Sequence, residues 1–75
     1  MDSAEKTIDY WVGARNEVQF EAEAVSESMA KTCWKRLGVI NRHITRVVSG
    51  LIPLTPGLEK EMQDCLDRTR QWLRH

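Results

Sequence analysis

Two histidines, His43 and His75, two cysteines, Cys33 and Cys65, and an acidic run of Glu59, Glu61, Asp64 and Asp67 are the side chains in this 75-residue chain to weigh first as bases, nucleophiles or metal ligands. Covalent or acid–base catalysis needs a nucleophile and a base within hydrogen-bond reach of each other. His75 is the last residue, and neither histidine has a carboxylate or cysteine at a spacing that would compose a triad on one helix face. The cysteines lack the paired spacing of a zinc site or a redox motif and fall on apolar stripes, so two buried thiols in a reducing compartment are expected. The four acids lie where a helix N-terminus favours negative charge, and they do not form a metal box. The sequence therefore predicts no catalytic residue, no metal, no cofactor and no small-molecule substrate.

Recognition chemistry has more to work with. From Trp34 to Val48 the chain reads Trp-Lys-Arg-Leu-Gly-Val-Ile-Asn-Arg-His-Ile-Thr-Arg-Val-Val. Over about twenty residues this resembles the helix-turn-helix of small phage-type repressors. In that pattern Leu37 ends one helix, Gly38 makes the turn, Val39 is buried after it, and Ile44 and Val48 line the inner face of a recognition helix. The resemblance implies that Asn41, Arg42, Thr45 and Arg46 would face the major groove, where Arg reads guanine and Asn reads adenine. The chain differs from the motif at Trp34, where a small residue normally lets the two helices meet. A basic segment beside a tryptophan also suits an anionic membrane surface, but Val39, Ile40, Val47 and Val48 are needed to pack against a second helix.

The elements that must position these residues are helices. Ile8, Trp11, Val18, Ala22, Val25, Met29, Cys33, Leu37, Ile40, Ile44, Val47 and Leu51 keep a three-or-four-residue beat with no proline between Ile8 and Leu51. Asp2 or Ser3 caps the start, with Glu5 placed to return the bond if Asp2 is the cap. Gly50 sits where a left-handed C-terminal residue belongs, and Pro53 prevents continuation. After a turn over 50–56, Thr55 caps a second helix whose first position is Pro56 and whose apolar face is Leu58, Met62, Cys65, Leu66, Trp72 and Leu73. The expectation is one all-α domain over 1–75: a helical hairpin with a long helix over about 3–49 and a shorter one over about 56–74. A break near Gly13, with Asn16 capping a new helix, would make three helices, and Gly38 is the other weak point; the unslipped stripe favours continuity through both.

Unequal arms leave a stripe without cover. At 1.5 Å per residue the stretch from Ile8 to Leu51 is roughly 65 Å long and the second helix only ~28 Å. Ile8, Trp11, Val18, Ala22, Val25 and Met29 would then form an exposed apolar face, which marks an interface. Charge order suggests the partner: residues 1–28 hold seven acids against Lys6 and Arg15, a net of −5, while residues 29–58 hold Lys31, Lys35, Arg36, Arg42 and Arg46 with no acid, a net of +5. Antiparallel pairing of two chains would lay each acidic half on the other's basic half, with Glu23 and Glu27 near Lys35 and Lys31. Trp11, Trp34 and Trp72 serve as core or dimer anchors. The first ten residues hold Asp2, Glu5 and Asp9 where a secretory leader would be basic and then apolar, and no apolar run is long enough to span a bilayer, so a cytoplasmic location is expected. The functional expectation is a non-enzymatic helical protein–protein interaction module, an adaptor, chaperone-like or regulatory subunit, that self-associates through its long helix into an oligomeric bundle. The alternative is a small DNA-binding regulator using residues 34–48.

Overall fold

Ser26 decides the architecture. Its backbone is fully extended (φ −169°, ψ 160°), and its Oγ accepts a hydrogen bond from the Met29 amide at 3.0 Å, so it ends one helix and caps the next. The computed structural model, which describes residues 4–74, is accordingly all-helical, with four helices: α1 (Ile8–Val25), α2 (Glu27–Arg36), α3 (Gly38–Val48) and α4 (Pro56–Leu73). Gln19 Nε2 donates to the Ala30 carbonyl at 3.2 Å, Cys33 Sγ lies 3.9 Å from the Val18 carbonyl, and the Arg15 guanidinium lies 5.7 Å from the centre of the Trp34 ring. Each step back along α1 thus meets a step forward along α2, and the two helices run antiparallel.

The long helix expected over 3–49 is therefore corrected at two places. The break at Ser26 escaped the stripe argument because Ala22, Val25, Met29 and Cys33 keep their beat across it. At Leu37 (φ −80°, ψ 6°) the chain leaves helical geometry for one residue, and Gly38 opens α3. This is the weak point foreseen at Gly38. Gly13, the other weak point, stays inside α1. The first helix starts at Ile8 with Thr7 as N-cap, while Asp2 and Ser3 lie outside the described residues.

Once the stripe doubles back, it covers itself. Trp11, Ala14, Val18 and Ala22 from α1, Cys33 and Leu37, Ile40 and Ile44 from α3, and Met62 and Leu66 from α4 form one buried cluster. Every pair of helices touches, and α1 packs most extensively on α2. The premise of a long uncovered apolar face is overturned: Trp11, Val18 and Ala22 are fully buried within the chain, Ile8 packs on the core, and only Val25 and Met29, at the hairpin tip, leave it.

The punctuation around α4 follows the sequence. Gly50 has φ +76°, its amide donates to the Val47 carbonyl, and the Leu51 amide donates to the Arg46 carbonyl, which together close the C-terminus of α3 as a Schellman motif. Thr55 Oγ1 accepts from the Leu58 amide at 3.2 Å, and Pro56 takes the first helical position. Gly13, by contrast, has no such duty: it lies mid-helix with open space where a Cβ would stand. Gly13→Ala should therefore raise stability by about 0.5–1 kcal/mol, read as a higher urea midpoint at unchanged slope. A lower midpoint would mean that α1 needs its glycine.

Candidate functional site

The core consumes the apolar residues, so what remains for a partner is charge. On α1 the core side is set by Trp11, Ala14, Val18 and Ala22; at 100° per residue Phe20 points directly away from it, flanked by Glu17, Glu21 and Asn16, all exposed. Phe20 is 71 % exposed, an unusual position for a phenylalanine on a helix this acidic. On α2 and α3 the five cations Lys31, Lys35, Arg36, Arg42 and Arg46 are all exposed, and Trp34, beside Lys31 and Lys35 on α2, is 51 % exposed. Lys31, Trp34 and Lys35, with Glu27, Ala30 and Gln19, line a shallow depression between α2 and α1.

Little neutralises this surface from within. Among the described residues the one carboxylate paired with these five cations is Glu27, whose Oε1 lies 4.0 Å from Lys31 Nζ with both side chains exposed. Such a pair contributes little to stability and leaves both charges in water. Arg36 lies over the Trp72 ring at 4.5 Å, which holds the end of α4 against α2. The acids of α1 and the cations of α2 and α3 form no ion pairs with each other among the described residues.

The residues matched to the helix-turn-helix pattern divide. Arg42, Thr45 and Arg46 are exposed together on α3, whereas Asn41 is half-buried and its Oδ1 accepts from Arg15 Nη1 at 3.5 Å, across to α1. Val39, expected to be buried, is 43 % exposed, and Val48, expected on the inner face, is 67 % exposed. The junction is a single residue, Leu37, and not the three-to-four-residue turn that sets the two helices of that motif across each other.

The remaining chemistry-bearing side chains are tied into the packing. His43 Nε2 is 2.8 Å from Glu61 Oε2 and links α3 to α4, a pairing between helices that spacing along one helix does not reveal; its Nδ1 is buried without a hydrogen-bond partner. Burial pushes the Cys33 thiol above its ordinary value, the neighbouring Cys65 adds to the effect, and Arg36 opposes it, so Cys33 remains a protonated, unreactive thiol. Cys65 Sγ donates to the Arg36 carbonyl at 3.3 Å, where the break at Leu37 interrupts the helix. Glu59, read from sequence as an ordinary helix-start acid, is in fact buried, and accepts from the amides of Glu5 and Lys6 and from the Trp11 indole. Its signal was present: Glu59 is in phase with Met62 and Leu66, on the apolar stripe of α4.

Among the described residues no group of three or more His, Cys, Asp or Glu side chains is gathered as for a metal, and no helix is long and apolar enough to cross a membrane. The chain matches no known protein family, no curated protein and no solved structure. The class it defines is a small all-α domain of four helices whose outer surface is divided by charge.

Proposed function

We propose that this chain is a non-enzymatic helical interaction module that uses the exposed cations of α2 and α3, with Trp34 beside Lys31 and Lys35, to recognise an acidic protein surface. The observation that carries this reading is the acid-free stretch from residue 29 to residue 58, all five of whose cations are exposed, two of them in one depression with a half-exposed tryptophan. Aromatic side chains ringed by charge are the usual anchors of protein contacts, and charge of one sign steers a partner of the other. The role of adaptor, chaperone-like or regulatory subunit fits such a face, and the apolar stripe named from sequence is replaced by a polar one.

A glutamate-rich helical peptide is the probe. Added to isotopically labelled protein at low salt, it should shift amides of α2 and α3 around Lys31, Trp34, Lys35 and Arg42, and the shifts should shrink as salt screens the charges. Unmoved α2 and α3 resonances would refute the reading.

Nucleic acid is the second reading, favoured by Arg42, Thr45 and Arg46 sharing one exposed face of α3. Against it stand the one-residue junction at Leu37 and the acidic α1, which repels phosphate. If duplex DNA binds, R42A/R46A should reduce the salt slope by about one unit for each phosphate that an arginine no longer neutralises. No mobility shift with mixed-sequence duplex at low salt removes it.

A further inference from the structure

We propose that the acidic surface taken by the basic face is the α1 helix of a second copy of this chain, with Phe20 of one copy seated beside Trp34 of the other. The inference rests on the reading above and names its partner. Two triads carry it. On α1, Glu17 stands one turn before Phe20 and Glu21 follows it directly; on α2, Lys31 stands one turn before Trp34 and Lys35 follows it directly. The offsets are the same and the signs are opposite. All six side chains are exposed, and each triad presents an aromatic ring between charges of one sign.

Helix geometry then sets the direction of the contact. Laid parallel, the two helices bring Glu17 level with Lys31, Phe20 level with Trp34 and Glu21 level with Lys35, whereas an antiparallel alignment carries Glu17 past Lys35 and towards the break at Leu37. The contact joins two different surfaces, the outer face of α1 on one copy and the exposed face of α2 on the other, so it is heterologous: each copy can offer α1 to one neighbour and α2 to another. The depression lined by Gln19, Ala30, Lys31, Trp34 and Lys35, with Glu27 at one side beside Lys31, offers the partner's phenylalanine a largely apolar floor. Exposed charge pairs choose the partner and its direction, and the ring contact supplies the burial.

The test uses the whole chain in analytical ultracentrifugation at about 200 µM protein, at low and at high salt. The wild type should self-associate, and the association should weaken with salt. E17K/E21K and K31E/K35E should each lower the association constant at least about tenfold, because each places like charges across the contact. Mixing these two variants should restore association, since every contact between unlike copies again joins acid to base. F20A, which leaves the charges untouched, should weaken association about tenfold as well and serves if a charge variant fails to fold by circular dichroism. A monomeric wild type, self-association indifferent to F20A and to both charge reversals, or a mixture of folded variants that stays monomeric overturns the proposal. The glutamate-rich peptide separates this failure from failure of the broader reading: a monomer that still binds the peptide through Lys31 and Lys35 keeps the basic face as an interaction surface, and one that does not loses both.

Discussion

Replacing Glu59 by Ala should lower stability by about 3 kcal/mol, because the buried carboxylate joins two helix starts. Its Oε1 accepts from the Glu5 amide at 3.0 Å; its Oε2 accepts from the Lys6 amide at 3.0 Å and from Trp11 Nε1 at 3.3 Å. Thr7, the N-cap of α1, makes no side-chain capping bond. Glu59 therefore supplies, from the first turns of α4, the side-chain acceptors that the uncapped approach to α1 lacks, and adds its charge to that of Asp9 near the positive end of the α1 dipole. Lys6 is held over the Tyr10 ring at 4.3 Å on the same strap. Truncation leaves a buried indole N–H without an acceptor and frees two backbone amides. For a domain of this size the melting temperature should fall by more than about 10 °C, and the Glu5 and Lys6 amides should lose their protection from hydrogen exchange. Glu59→Gln keeps the shape but turns an NH2 towards donors, so it should recover less than half of the loss. A melting temperature within about 2 °C of wild type for Glu59→Ala would show that the strap contributes nothing.

The features legible in the sequence are those fixed locally. Gly50 ends α3 and Thr55 with Pro56 starts α4 because capping chemistry involves only residues within a turn of each other. The stripe also named true core members: Trp11, Val18, Ala22, Cys33, Leu37, Ile40 and Ile44 are all buried. What the stripe did not carry is which residues face which. An apolar beat that continues through Ser26 describes one long helix and two antiparallel helices equally well, because each arm turns its apolar side inwards on its own. The distinction lies in Ser26 Oγ and the Met29 amide, a capping bond easily outvoted by periodicity. Glu59 escaped for the opposite reason, since its three donors lie some fifty residues away along the chain and exist only once α1 docks on α4. The separation of acids from cations was visible as a −5 and +5 division, but its placement on outward faces, with Phe20 and Trp34 at their centres, required the hairpin.

Val18 and Val25 separate the folded hairpin from a long helix in a single experiment. Both lie on the stripe, and in a continuous helix that pairs with a second copy, Val18→Asp and Val25→Asp would each bury a charge in the same interface and do similar damage. In the hairpin Val18 is fully buried between α1 and α2, whereas Val25 is 63 % exposed at the tip. Val18→Asp loses roughly 1.5–3 kcal/mol of apolar burial and adds several kcal/mol for an unpaired carboxylate in the core. That is comparable with the roughly 4–11 kcal/mol expected for the whole of a domain this size, so the variant should be largely unfolded at 25 °C by circular dichroism and hydrogen exchange. Val25→Asp should stay within about 0.5 kcal/mol of wild type. The two effects should thus differ by several kcal/mol at positions seven residues apart on one apolar beat. Equal loss in both variants, or loss only at Val25, would mean that α1 continues past Ser26 in solution.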